Sequence, residues 1–198
     1  MKICRRLWTL AVGLGLMFSS AAFALAPPPI PVAVTPASGN PGSVVQPVFS
    51  LDVAGFDFES LDLTLTFSDP MLTFNLGSSS VTLNGVTQAW TALPLFLAVS
   101  PSTVGDVTSI SFSSFTLAPE AFTGPLVLRP NFTVRGTAPL GGTLVSIAGS
   151  VGSEPLVGER YFDSSATVTV TAVPEPEFWL MWLGGLGLLA LRRVRRPA

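Results

Sequence analysis

Between its two ends the chain repeats every second residue. Leu61, Leu63, Leu65 and Phe67 alternate with Asp62, Thr64 and Thr66. Leu126, Leu128, Phe132 and Val134 alternate with Arg129, Asn131, Thr133 and Arg135, and Ala166, Val168 and Val170 with Thr167, Thr169 and Thr171. Successive side chains of an extended strand point to opposite faces, so each run has one apolar and one solvated face. That pattern belongs to antiparallel sheets packed on one side only. No run shows a period of 3.6. Further strands are expected at 44–53, 71–75, 80–83, 93–99, 107–117 and 142–149. Along Ile110, Phe112, Phe115 and Leu117 the apolar phase slips by one residue at Ser113-Ser114, which predicts a β-bulge.

Turn chemistry separates the runs: Ser38-Gly39-Asn40-Pro41-Gly42, Ser68-Asp69-Pro70, Asn84-Gly85, Gly141-Gly142 and Gly152-Ser153. Asn84-Gly85 between apolar residues is a hairpin signal. Short strands at this spacing predict an all-β fold, an antiparallel β-sandwich of jelly-roll-like topology over residues 32–172. An N-terminal signal helix and a short C-terminal transmembrane helix flank it. Pro27-Pro28-Pro29 and Pro31 give an extended stalk over 25–31.

Composition removes several functions. The chain of 198 residues has no histidine, the commonest general base and transition-metal ligand. A Ser-His-Asp triad is therefore excluded. No Gly-x-Ser-x-Gly elbow and no phosphate-cradling glycine loop occur. Cys4 is the only cysteine and lies near the N-terminus, so the body holds together by packing and not by disulfides. Lys and Arg gather at the two ends, which leaves an acidic middle; binding to a nucleic-acid backbone is disfavoured.

The first end is a secretion signal over 1–24. Lys2, Arg5 and Arg6 form a basic region, Leu7 to Phe18 an apolar one, and Ala22-Phe23-Ala24 an A-x-A cleavage site. Ala22 and Ala24 are the residues signal peptidase would read; an uncleaved membrane anchor is the alternative. The other end spans 173–198. Pro174 and Pro176 flank Glu175 in a segment kept extended, where a processing enzyme can reach the backbone. The apolar run 178–191 follows, whose helix would measure about 21 Å, short of a ~30 Å hydrocarbon core. Arg192, Arg193, Arg195 and Arg196 hold the tail on the cytoplasmic side, which places the body outside the inner membrane.

The stretch Val173-Pro174-Glu175-Pro176, with Gly185-Leu186-Gly187-Leu188-Leu189-Ala190-Leu191 and the arginine cluster, closely resembles the PEP-CTERM sorting signal of Gram-negative bacteria. The resemblance implies recognition by exosortase, a membrane cysteine transpeptidase. It further implies transient residence in the inner membrane, removal of the tail, and a cell-surface or extracellular location associated with exopolysaccharide and biofilm matrix. Pro174, Glu175 and Pro176 would then be substrate residues. The alternative is a simple tail anchor. Within the body, Gly42-Ser43-Val44-Val45 and the run from Leu61 to Asp69-Pro70-Met71-Leu72 resemble cohesin-like and carbohydrate-binding-module sandwiches, without any dockerin-binding residue to carry over.

Few side chains in the body suggest chemistry. Asp52, Asp57, Glu59 and Asp62 are close in sequence, and paired carboxylates serve glycoside hydrolysis. Asp57, Glu59 or Asp69 with backbone carbonyls could ligate calcium, although no known calcium-loop spacing occurs. Asn131-Phe132-Thr133 fits a glycosylation sequon. Trp90 and Tyr161 could stack on sugar rings, although a tryptophan is more often core. The expectation is a non-catalytic structural or adhesive protein, without cofactor or resident metal, exported by the secretion machinery. Its expected partners are exosortase and, in the matrix, exopolysaccharide. A cohesin-like carbohydrate- or protein-binding module is the second reading, and a carboxylate-dependent glycoside hydrolase the third.

Overall fold

The computed structural model describes residues 28–153, 158–172 and 182. The leader with Ala22 and Ala24, the Pro174-Glu175-Pro176 box, the run 178–191 apart from Trp182, and the four arginines lie outside the described residues. Among the described residues no helix is long and apolar enough to cross a membrane.

Fifteen strands are present among the described residues: β1 (Val32–Thr35), β2 (Ala37–Gly39), β3 (Val44–Val45), β4 (Val48–Leu51), β5 (Asp57–Ser68), β6 (Leu72–Phe74), β7 (Ser80–Leu83), β8 (Val86–Ala89), β9 (Leu97–Ala98), β10 (Ser102–Val104), β11 (Val107–Ala121), β12 (Leu126–Arg129), β13 (Phe132–Val134), β14 (Gly141–Ser153) and β15 (Gly158–Val170). One sheet runs β10-β11-β5-β14-β15-β2, with β9 also on β11; a second runs β1-β4-β12-β7-β8; a third, small one runs β3-β13-β6. Every pairing is antiparallel except that of β2 with β15. The expected all-β antiparallel sandwich is the observed fold.

Period two becomes burial. Leu61, Leu63, Leu65 and Phe67 face inward with Val145, Ile147, Phe162, Ala166, Val168 and Val170, all at most 4% exposed. From the other layer Phe49, Leu51, Val81, Leu126 and Leu128 meet them. An aromatic knot fills the middle. The Phe67 and Phe132 rings lie 5.2 Å apart, Phe74 and Phe132 5.5 Å, Phe74 and Trp90 5.8 Å, and Trp90 and Phe112 5.2 Å. Tilted and edge-on pairs at these distances add to the burial of their area.

Two expected strands are each broken in two. The stretch 44–53 yields β3 and β4, split at Gln46-Pro47, and 126–135 yields β12 and β13, split at Pro130-Asn131. A proline cannot donate to a ladder, so the chain leaves one sheet and enters the next there. The stretch 93–99 shrinks to β9, because a 3-10 turn over Trp90–Ala92 precedes it and Leu95 takes a positive φ of 42°.

The bulge expected at Ser113-Ser114 is not there. Ser113, Ser114 and Phe115 pair in unbroken register with Asp62, Leu61 and Ser60, and the irregularity falls between Phe115 and Glu120. Ser114 keeps the inward position, buried, with its hydroxyl donating to the Pro94 carbonyl at 2.7 Å, while Phe115 turns outward. A small hydroxyl residue with a local acceptor can occupy a core position, and the apolar pattern alone hides this.

The hairpin at Asn84-Gly85 forms as expected. Both residues have positive φ, 50° and 78°, as a type I′ turn requires, and Leu83 pairs with Val86. At Gly149 the reason for glycine is contact: a Cβ there would sit 1.9 Å from the Asp62 carbonyl oxygen.

The chain enters and leaves at opposite poles. Ile30 donates its N–H to the Tyr161 carbonyl and is buried, so the stretch assigned to a stalk packs on the body by its end. Arg160 donates to the Pro28 carbonyl and lies 4.3 Å from the Phe56 ring centre. At the exit, Thr171 bonds Gly39 through its N–H and Asn40 through its hydroxyl. Tyr161 and Val170 therefore mark the two poles, about 30 Å apart along β15.

Candidate functional site

The outer face of the large sheet is the broadest regular surface of the molecule. Register alone builds it. Ser113, Asp62, Ser150 and Tyr161 form one row across β11, β5, β14 and β15. Ser111, Thr64, Ala148 and Asp163 form the next, then Ser109, Thr66, Ser146 and Ser165. Small hydroxyl side chains dominate, and they bond across strands: Thr64 with Ser111 at 3.1 Å and Thr66 with Ser109 at 3.3 Å. Cross-strand Thr and Ser pairs of this kind stabilise a sheet.

Carboxylates stand in and beside the row nearest the entry pole. Ser113 donates to Asp62 Oδ1 at 2.5 Å. Glu159 accepts from the buried Ser150 hydroxyl through Oε1 and from the Tyr161 hydroxyl through Oε2, each at 2.9 Å. The bond from its hydroxyl to Glu159 and the nearby negative charge, with a smaller contribution from desolvation, raise the Tyr161 phenol above its ordinary value.

Exposed apolar side chains rim this face. Leu97 and Val99 stand along β9 and just beyond it, opposite Ser113 and Ser111. Val104 faces Val107, and Leu144 stands on the same outer side of β14. The sequence placed 93–99 in a strand without locating it at an edge. The flanking Pro94 and Pro101 are the signal that this strand would be short and peripheral.

The other candidate residues are dispersed. Asp52 follows β4 on the smaller layer and accepts from the Ala54 N–H; Asp57 begins β5; Asp62 lies on the outer face of the large sheet. Asp69 pairs with Arg135 at 2.9 Å. Among the described residues no three of His, Cys, Asp and Glu gather to hold a metal ion. Trp90 is 2% exposed and donates its indole N–H to the Ser80 carbonyl, so it is core. A narrow apolar crevice beside it, lined by Leu61, Leu63, Leu93, Phe96 and Phe112, has scarcely room for one water. The Asn131 and Thr133 side chains both accept from Asn75 Nδ2, which gives the sequon a structural use. Of the two candidate aromatics, Tyr161, 60% exposed, is the one available on the large face.

No protein-family model and no curated protein matches the chain. Its fold is similar to that of solved β-sandwich modules. A cohesin from Clostridium thermocellum, solved as the Coh-OlpA complex with a dockerin, superposes with a TM-score of 0.51 at 11% identity, covering 73% of this chain and 100% of that one. The sixth cohesin of Acetivibrio cellulolyticus scaffoldin B gives 0.47 at 16% identity, with 73% and 100% covered. The collagen-binding subdomain of the Enterococcus faecalis surface protein ACE gives 0.47 at 10% identity, with 70% and 95% covered. The chain thus has a cohesin-like β-sandwich fold.

Proposed function

We propose that this chain is an exported, non-catalytic β-sandwich module. In this reading the leader 1–24 addresses it across the inner membrane. The Pro174-Glu175-Pro176 box, the run 178–191 and the arginine cluster sort it to the cell surface through exosortase. The observation that supports it best is how the described body is tied off ahead of the box. The last strand among the described residues ends at Val170, and Thr171 is tied to Asn40 three positions before the box opens at Pro174. In this reading a processing enzyme meets the box just beyond that tie. The test is replacement of all three box residues by alanine, followed by the mass and location of the product. Full-length protein retained in the inner membrane is the expected result. An unchanged mature mass and surface yield would overturn the sorting reading.

The outer face of the large sheet favours a binding role for the displayed body, either protein or polysaccharide. It combines hydroxyl rows, an apolar rim and the exposed Tyr161 on one side. The cohesin neighbour is solved with a dockerin bound. Glycan arrays and pull-downs with Thr64→Lys and Ser146→Lys as face-blocking variants separate the two partners. Binding that survives both variants would remove this face from the account.

A further inference from the structure

Exposed apolar side chains stand towards both poles, Leu117 towards the entry pole at 85% exposed, and those of the exit pole are aligned by register on neighbouring strands. Val104, 79% exposed, stands opposite Val107 in the turn between β10 and β11. Val107 pairs with Ser68, and on the same outer side Leu144 pairs with Thr167 at the pole-ward end of β14. Leu140, 63% exposed, lies farther out, immediately before β14. Four large apolar side chains therefore edge the pole from which the chain departs at Ala172. The carboxylates are distributed the other way. Asp52, Asp57, Glu59 and Glu159 stand at the entry pole, while the exit pole carries Asp106 and the paired Asp69 and Arg135.

The connector fixes what this edge can meet. Five residues, 173–177, separate Ala172 from the apolar run that starts at Phe178. Fully extended, that gap spans at most about 20 Å. With the run inserted in a bilayer, the apolar edge is held within reach of the lipid surface. A contact too weak to act alone becomes effectively intramolecular under such a tether. Apolar side chains at the interfacial level gain by leaving water, and the sparse charge at this pole limits repulsion from anionic lipid.

We infer that the exit pole docks on the bilayer that holds the tail, with Val104, Val107, Leu140 and Leu144 at the lipid interface, for as long as the tail remains attached. The inference rests on the membrane insertion of the tail proposed above. Docking also presents the box at the membrane surface, where a membrane-embedded processing enzyme works.

The experiment uses the full chain with Cys4→Ser, reconstituted in vesicles of phosphatidylethanolamine and phosphatidylglycerol. A fluorophore is attached through Val104→Cys, Leu144→Cys or, as control, Leu117→Cys, an exposed position on β11 ten residues from Val107 towards the entry pole. Nitroxide-bearing lipids should quench the first two labels at least about threefold more than the third. Adding Leu140→Asp to the Val104→Cys chain should remove most of that difference while the chain still resists alkaline extraction. Equal quenching at all three positions in a chain that resists extraction overturns the docking and leaves insertion standing. A chain stripped by alkali overturns both. Self-quenching of the Val104→Cys label that rises with protein-to-lipid ratio, without a nitroxide effect, assigns the edge to a second copy and overturns the docking.

Discussion

The two layers of the sandwich are built on different principles. The large sheet rests on four long strands, β5, β11, β14 and β15, whose ladders run almost without interruption. The opposite layer is assembled from pieces of two to four residues divided between two sheets, with prolines at the breaks. In the first, continuous backbone pairing sets the register and one side chain displaced by one position would turn a whole face over. In the second, short ladders give little, and aromatic packing holds the pieces together. The difference separates a face built on continuous ladders from a pieced layer that closes the core beneath it.

The sharpest way to break this contrast is on the long sheet. Gly149→Ala puts a Cβ onto the Asp62 carbonyl, and neither backbone can move without disturbing two ladders. A loss above about 4 kcal/mol, or no folded protein, is expected. Gly142→Ala on the same strand meets only the Thr167 methyl at 3.4 Å and should stay within about 0.5 kcal/mol. Denaturant unfolding of the pair checks this; equal effects would mean that β14 is not locked. On the pieced layer the corresponding test is Phe132→Ala. The ring is fully buried against Phe67 and Phe74, and its removal should cost about 3–5 kcal/mol.

The same contrast explains what could be read in the sequence. Strands of the large sheet announce themselves because one face is core and the other wet, so Leu61 to Phe67 and Ala166 to Val170 alternate cleanly. β7 and the Asn84-Gly85 turn were equally legible, since turn chemistry is local. β1, β2 and β10 were not: three or four residues give too short a window for a period, and their place at sheet edges depends on distant partners. Ser114 misled because its burial is satisfied by Pro94, a contact no local pattern contains. The carboxylates were visible as residues, but sequence proximity placed Asp52 and Asp62 together where the fold puts them on different layers. The apolar exit edge was invisible for the same reason, as Val104, Val107 and Leu144 come to one end of the outer face only through register.

A smaller effect is expected at the Asp69–Arg135 pair near the exit pole. Both side chains are about two-fifths exposed, so solvent screens them. Asp69→Asn should lower stability by no more than about 1 kcal/mol, and by less at high salt. A larger loss, insensitive to salt, would show that the pair positions the turn between β5 and β6 instead of merely decorating it.

The subtlest test lies on the outer face of the large sheet. Tyr161 is the only tyrosine in the chain, so phenolate absorbance reports on it alone. Its hydroxyl donates to Glu159, which prefers the protonated phenol and raises its titration. A raised value in the folded state means that the stabilising bond is fully present below the unfolded tyrosine value and is lost as pH rises through the folded one. Glu159→Gln removes the negative charge, so phenolate should form at lower pH than in the parent protein. It should also loosen Ser150, whose buried hydroxyl donates to the same carboxylate, and thereby speed amide exchange at the entry end of β14 and β15. Superimposable titrations would show that Tyr161 points freely into solvent. The outer face would then end in a mobile aromatic, not a fixed one, and a ligand stacked on it would have to order the ring at its own expense in affinity.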